Sequence, residues 1–120
     1  MSTVKSRKAK ARKLQNQIRD LILASFPLLP GDVKPALMGE QGSDIKLSPR
    51  GKELFPFSVE CKNDENISIW RTWLQCKTNT EKDTMPLAFM GKNYHETLAI
   101  LSAADLFRLL SLISEGKSHG

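Results

Sequence analysis

Apolar residues first recur at helical spacing. Leu14, Ile18, Leu21 and Ile22, with Ser25 on the same stripe, predict a helix over about residues 6–26 that ends at Phe26-Pro27. Residues 27–35 are rich in Pro and Gly and read as a loop, with a short strand expected within residues 33–38. The period then changes to two. In Ser43–Leu47, Ile45 and Leu47 share one face and Asp44 and Lys46 the other. In Phe57–Lys62, Phe57, Val59 and Cys61 alternate with Ser58, Glu60 and Lys62. Ser48-Pro49-Arg50-Gly51-Lys52 reads as turn material, so these two strands are expected to pair as an antiparallel hairpin. Gly42 suits a turn or a close backbone approach just before the first of them.

A polar turn, Asn63–Asn66, leads into a helix reaching about Thr78, capped by Asn66 or Ser68. Ile69, Trp70, Trp73, Leu74 and Cys76 give it a broad apolar face, and core packing is the favoured reading of both tryptophans over exposure to a partner or a base. Pro86–Met90 reads as a buried strand, Gly91-Lys92-Asn93 as a hairpin turn and Tyr94–Leu101 as a further strand. Ser102-Ala103-Ala104-Asp105 opens a last helix carrying Leu106, Phe107, Leu109, Leu110 and Ile113, which is expected to fade from Glu115 onward. The order α-β-β-β-α-β-β-α implies an α/β fold with a small mixed sheet flanked by helices. A chain of 120 residues holds one domain. Its expected bounds are 14–115, with a basic arm at 1–13 that runs into the first helix and a flexible tail at 116–120.

The chemistry sits on the two alternating segments. Glu60 and Lys62 share a strand face roughly 6–7 Å apart, and Asp44 is expected to lie beside Glu60. Two converging carboxylates repel unless a cation lies between them. Mg²⁺ takes oxygen ligands and keeps several waters, which suits such a pair. A bound water then loses its proton more easily, and Lys62 is placed to orient it or to neutralise charge on a phosphate. An isolated Glu-x-Lys is usually a solvated face with a weak ion pair. Glu40 reads more readily as a loop acid in water than as a third carboxylate. His95 reads more readily as a surface histidine than as a phosphate contact or proton carrier.

With these residues in place, the sequence resembles the PD-(D/E)xK nuclease superfamily, in its compact branch of Holliday junction resolvases and small phage-type endonucleases. Ser43-Asp44 stands at the Pro-Asp position, and Glu60-Cys61-Lys62 at the (D/E)-x-K position. Gln75, in Trp73-Leu74-Gln75, matches the glutamine of the following helix, and Gln15 or Gln17 matches the acid or amide of the first helix. The resemblance runs over roughly residues 10–113. It implies a restriction-endonuclease-like core. It implies catalytic Asp44, Glu60, Lys62, Gln75 and Gln15, with Asp44, Glu60 and the Cys61 carbonyl on Mg²⁺, which Mn²⁺ would replace. It also implies a homodimer acting on branched or duplex DNA. Ser43 in place of Pro leaves the carboxylate intact, whereas Gln in place of a first-helix Glu removes one metal-directed charge.

Charge strengthens the expectation of a nucleic-acid partner. Lys and Arg number 18 against 13 Asp and Glu, a net charge of +5. Lys5, Arg7, Lys8, Lys10, Arg12 and Lys13 cluster with no acid before Asp20. Such a block is either a solvated tail or a phosphate-binding arm, and the nuclease-like centre favours DNA-backbone contact. Two cysteines make no disulfide framework, and no Cys/His set has zinc spacing. Leu21–Leu29 is too short to span a membrane, and no leader is expected at the basic N-terminus. The expected compartment is the cytoplasm, or a host's cytoplasm for a phage protein. The leading reading is a Mg²⁺-dependent endonuclease selective for branched DNA. A nicking or duplex endonuclease, a non-catalytic DNA-binding module and a partner-dependent nuclease-fold subunit are the alternatives.

Overall fold

The structure is a computed structural model that describes residues 3–118. The first helix, α1 (Val4–Ser25), runs unbroken through the basic block. Its N-cap, Thr3, accepts the Ser6 amide at 3.0 Å. Only Leu14, Ile18 and Ile22 of this helix are buried; Lys5, Arg7, Lys8 and Lys13 of the basic block are exposed, and Lys10 and Arg12 are half-buried. Lys5 and Arg7, in its first turn, oppose the helix dipole, and no acid in that turn offsets them.

A 3-10 turn (Pro30–Asp32) leads into β1 (Val33–Pro35), which pairs antiparallel with β2 (Ile45–Leu47). A short helix, α2 (Pro49–Leu54), precedes the central strand β3 (Phe57–Asn63). Helix α3 (Ile69–Thr78) crosses over to β4 (Met85–Gly91), which runs parallel to β3. β4 then pairs antiparallel with β5 (Leu98–Ile100), and α4 (Ala103–Ser118) closes the order. The outcome is a mixed α/β fold of two small sheets, β1-β2 and β3-β4-β5, flanked by helices. The core joins Leu14, Ile18 and Ile22 of α1 to Val33, Ile45, Phe55, Val59, Cys61 and Leu87.

The expected hairpin between the segments of Asp44 and Glu60 does not form. Ser48 caps a helix instead, its Oγ accepting the Gly51 amide at 3.0 Å, and Pro49 takes the first helical position. Asp32 locks this corner. Its carboxylate accepts the Ser48 hydroxyl at 2.7 Å and the Leu29 amide at 2.9 Å, which hold the Asp32 pKa below its usual value. Gly51 is buried there, and a Cβ on it would come within 2.8 Å of the Asp32 carbonyl oxygen. Gly51→Ala is therefore expected to destabilise the fold by about 1–3 kcal/mol, read as a fall in thermal midpoint of several degrees.

Three further expectations are corrected. Tyr94–Thr97 belongs to a turn, and the fifth strand is only Leu98–Ile100. The last helix continues through Ser118 rather than fading at Glu115; Ser102 Oγ accepts the Asp105 amide at 3.1 Å, as the capping pattern predicts. Residues 119 and 120 of the expected tail lie outside the described residues. Trp70 is 81% exposed, because α3 turns Thr72 and Cys76 to the sheet and leaves Ile69, Trp70 and Leu74 outside.

Candidate active site

Asp44 joins the two sheets. Its N–H donates to the Val59 carbonyl at 2.8 Å, and its own carbonyl accepts the Ala36 N–H at 2.8 Å. Its carboxylate Oδ2 accepts the Cys61 N–H at 2.7 Å. Gly42, two residues before it, adopts φ +94°, and Ser43 is buried with its Oγ donating to the Ile45 carbonyl at 3.0 Å. These contacts turn the chain so that Asp44 meets the middle of β3 without a hairpin. In a strand, the N–H and C=O of one residue face the same side. The Cys61 carbonyl therefore opens toward the edge that Asp44 occupies.

Val59 and Cys61 enter the core, as the alternation predicts. The opposite face of β3 is less open than expected. A parallel pair needs a crossover, and α3 supplies it by lying over Ser58 and Glu60. The Cys76 thiol faces the Ser58 carbonyl at 3.8 Å, and Asn79 Nδ2 donates to Glu60 Oε1 at 3.4 Å. Glu60 is left only 7% exposed, while Lys62 stays in solvent at the end of the strand.

Burial pushes the Glu60 carboxyl up, and the Asp44 carboxylate beside it pushes the same way, to about 8; the Asn79 amide and the Lys62 ammonium oppose the rise. Near neutral pH the proton kept on Glu60 relieves this crowding, and a cation between the two carboxylates would relieve it in the same way. Among the described residues no cluster of three or more His, Cys, Asp or Glu side chains has the arrangement of a metal site. The donors that would be available to a cation here are the Asp44 and Glu60 carboxylates and the Cys61 carbonyl. That set fits Mg²⁺, which keeps several waters and demands oxygen ligands. It lacks the nitrogen and sulfur donors of a zinc site. Burial also raises the thiols of Cys61 and Cys76, the latter to about 11, so both are protonated and unreactive in place.

Asp44, Glu60 and Lys62 therefore come together. The remaining residues singled out by sequence are less closely placed. Gln75 is exposed on α3, and the α3-side contact to Glu60 is made by Asn79 at the helix C-cap. Gln15 is half-buried on α1, whereas Gln17 turns away and donates to Thr97 Oγ1 at 3.2 Å. Asn79 lies one helical turn after Gln75, and polarity at a helix end facing the strand was the available signal for it. Glu40 accepts the Leu37 amide at 2.8 Å and lies 3.9 Å from the Lys46 ammonium, in keeping with a loop acid. Lys5, Arg7, Lys8, Lys10, Arg12 and Lys13 all project from α1, and none of them is in a salt bridge among the described residues.

A surface depression of about 900 Å³ runs along α1 past Ala9, Asn16 and Ala24 and contains neither Asp44 nor Glu60. It is a groove along one helix. Among the described residues no helix is long and apolar enough to cross a membrane. Comparison with protein-family models, with curated proteins and with solved structures finds no match to this chain.

Proposed function

We propose that the protein is a Mg²⁺-dependent endonuclease of the PD-(D/E)xK type, acting on DNA with selectivity for branched forms. The observation that carries this reading is the meeting of Asp44 and Glu60 at β3, with Lys62 on the same strand. The element order through β4, one helix, three strands, a crossover helix and a strand parallel to the third, supports a restriction-endonuclease-like core once the short α2 is set aside as an insertion.

The residues divide the work. Asp44 and Glu60, with the Cys61 carbonyl, hold the ion. Mg²⁺, when bound, supplies a more acidic water and positive charge beside the phosphate. Glu60 must lose its proton to become a ligand. Lys62 orients the attacking water and neutralises charge building on the phosphate oxygens. Asn79 holds the Glu60 carboxylate in position through Nδ2. Gln15 and Gln75 are support residues of the resemblance; Gln75 is exposed and free to meet substrate, whereas Gln15 is half-buried on α1. The cations of α1 contact phosphates without reading sequence.

A homodimer completes the proposal. Helix α4 exposes Leu106, Phe107, Leu110, Leu112 and Ile113, with Phe107 69% exposed. A helix this apolar and this open is an interaction surface, and a twofold partner would supply a second site for a second strand. Phe107→Asp combined with Leu110→Asp is expected to convert dimer to monomer in sedimentation and to leave nicking of single strands. Retained dimer in that variant contradicts the assignment of α4. The compartment that goes with this reading is the cytoplasm, or a host's cytoplasm for a phage protein.

The test of substrate class compares a labelled four-way junction with a linear duplex of matching sequence. Cutting of the junction alone supports a resolvase-like enzyme, and equal cutting of both supports a general endonuclease. Binding of both without cutting in Mg²⁺ favours the non-catalytic reading, for which the solvated cationic face of α1 is sufficient.

A further inference from the structure

The β4–β5 turn and α1 enclose a cavity of about 330 Å³ lined by Lys10, Lys13, Asn63, Lys92, Tyr94 and His95 among others. It lies on the α1 side of β3, since Asn63 Nδ2 reaches across to the Lys10 carbonyl at 2.8 Å. Glu60 and Lys62 face α3, so this cavity is separate from the candidate active site although both lie toward the same end of β3.

Three features define it. First, no acid lines the cavity, and Glu96, the acid of the turn, faces elsewhere. Lys10, Lys13 and Lys92 form no salt bridge among the described residues. Unpaired cations around a concavity raise the local concentration of anions. Second, the walls are fastened. Gln17 ties α1 to Thr97 at 3.2 Å, the His95 amide donates to the Lys92 carbonyl at 3.1 Å, and His95 Nδ1 pairs with the Asn93 carbonyl at 2.8 Å. Third, Tyr94 at the rim has φ +64° and is fully exposed. An aromatic residue in the left-handed region is an uncommon choice. Its ring contributes nothing to the core, and the backbone geometry would favour Gly or Asn in its place.

We propose that this cavity binds the sugar-phosphate backbone of single-stranded or frayed DNA, with the Tyr94 ring stacking on an unpaired base. The inference deepens the nuclease reading and rests on its nucleic-acid substrate. It names the feature of branched DNA that the protein would grip, an unstacked nucleotide beside a junction. Lysine ammonium groups serve phosphates as point charges, and an aromatic face accepts any base.

The experiment is equilibrium binding in chelator, read by fluorescence anisotropy, of a single strand, a forked duplex and a blunt duplex. Tyr94→Asn removes the ring and keeps a residue that tolerates positive φ. It is expected to weaken single-strand and forked binding by roughly five- to a hundredfold and to spare the blunt duplex. Lys10→Gln with Lys92→Gln is expected to reduce the salt slope for single strands by about 1.4. Lys5→Gln with Lys8→Gln, outside the cavity, should affect blunt and single-stranded DNA alike. Wild-type single-strand affinity in Tyr94→Asn overturns the proposal, as does an unchanged salt slope in the Lys10, Lys92 variant. Cleavage of a four-way junction in Mg²⁺, followed in parallel, tests the nuclease reading alone. Its absence with the binding pattern intact would sink catalysis and keep the subsite.

Discussion

Lys62→Ala is expected to slow Mg²⁺-dependent phosphodiester cleavage by about 10²–10³-fold while leaving DNA affinity within about threefold. The side chain stands in solvent at the end of β3, outside the core and outside every salt bridge of the described residues. Its removal therefore costs the fold little, within about 0.5 kcal/mol. On the proposed reading, affinity is carried instead by the cations of α1, which Lys62 does not join. What Lys62 contributes is charge beside Glu60, where it already favours the ionised carboxylate. That charge matters most when negative charge builds on the phosphate, so the loss falls on turnover. Single-turnover rates with saturating enzyme, alongside anisotropy in chelator, separate the two effects. A variant that cuts at the wild-type rate removes Lys62 from the chemistry.

The second large effect is a coupling of stability, pH and Mg²⁺ at Glu60. The carboxyl rises from 4.5 to about 8 in the folded chain. Below pH 4.5 both folded and unfolded chains hold this proton. Between 4.5 and about 8 the unfolded chain releases it and the folded chain retains it. Protonation of Glu60 therefore favours folding at low pH, and that contribution is lost as pH rises through about 8. The cost is on the order of a few kcal/mol. In chelator, the thermal midpoint should drop across this window, and Glu60→Gln should flatten the drop. Mg²⁺ binds the ionised form, so its stabilisation should grow with pH and release a proton on binding. At about 100 times the dissociation constant the gain is about 2.7 kcal/mol, or roughly 10 °C near pH 8. Near pH 5.5 it should shrink, and in Glu60→Gln it should vanish. Equal Mg²⁺ stabilisation at both pH values, or in both proteins, contradicts the assignment of Glu60 as a ligand.

Parts of this site were legible in the sequence because they depend on local rules. Alternation along β3 sends Val59 and Cys61 to the core, and Gly42 takes a positive φ before Asp44. The route by which Asp44 reaches Glu60 was not legible in the same way. Ser48-Pro49 suits a turn and a helix start equally well, and the choice depends on Asp32 anchoring Ser48 from a distant loop. The covering of Glu60 by α3 follows from the parallel pairing of β3 and β4, which no local pattern specifies. Asn79 was missed for that reason, since its role depends on where the helix end comes to rest. The exposure of Trp70 has the same origin. An amphipathic reading of α3 finds apolar residues on most sides, and only the narrow sheet beneath selects Thr72 and Cys76 for burial.

The central claim is that the acids meeting at Asp44 and Glu60, with Lys62, form a metal-dependent centre that cuts DNA. The most direct measurement incubates supercoiled plasmid and a four-way junction with wild type and with Lys62→Ala, in Mg²⁺ and in chelator. The account predicts cutting by wild type in Mg²⁺ and none in chelator, with Lys62→Ala slowed by at least about a hundredfold. Cutting that survives chelator, cutting by Lys62→Ala at the wild-type rate, or binding of both DNAs by wild type with no cutting in Mg²⁺ would contradict it.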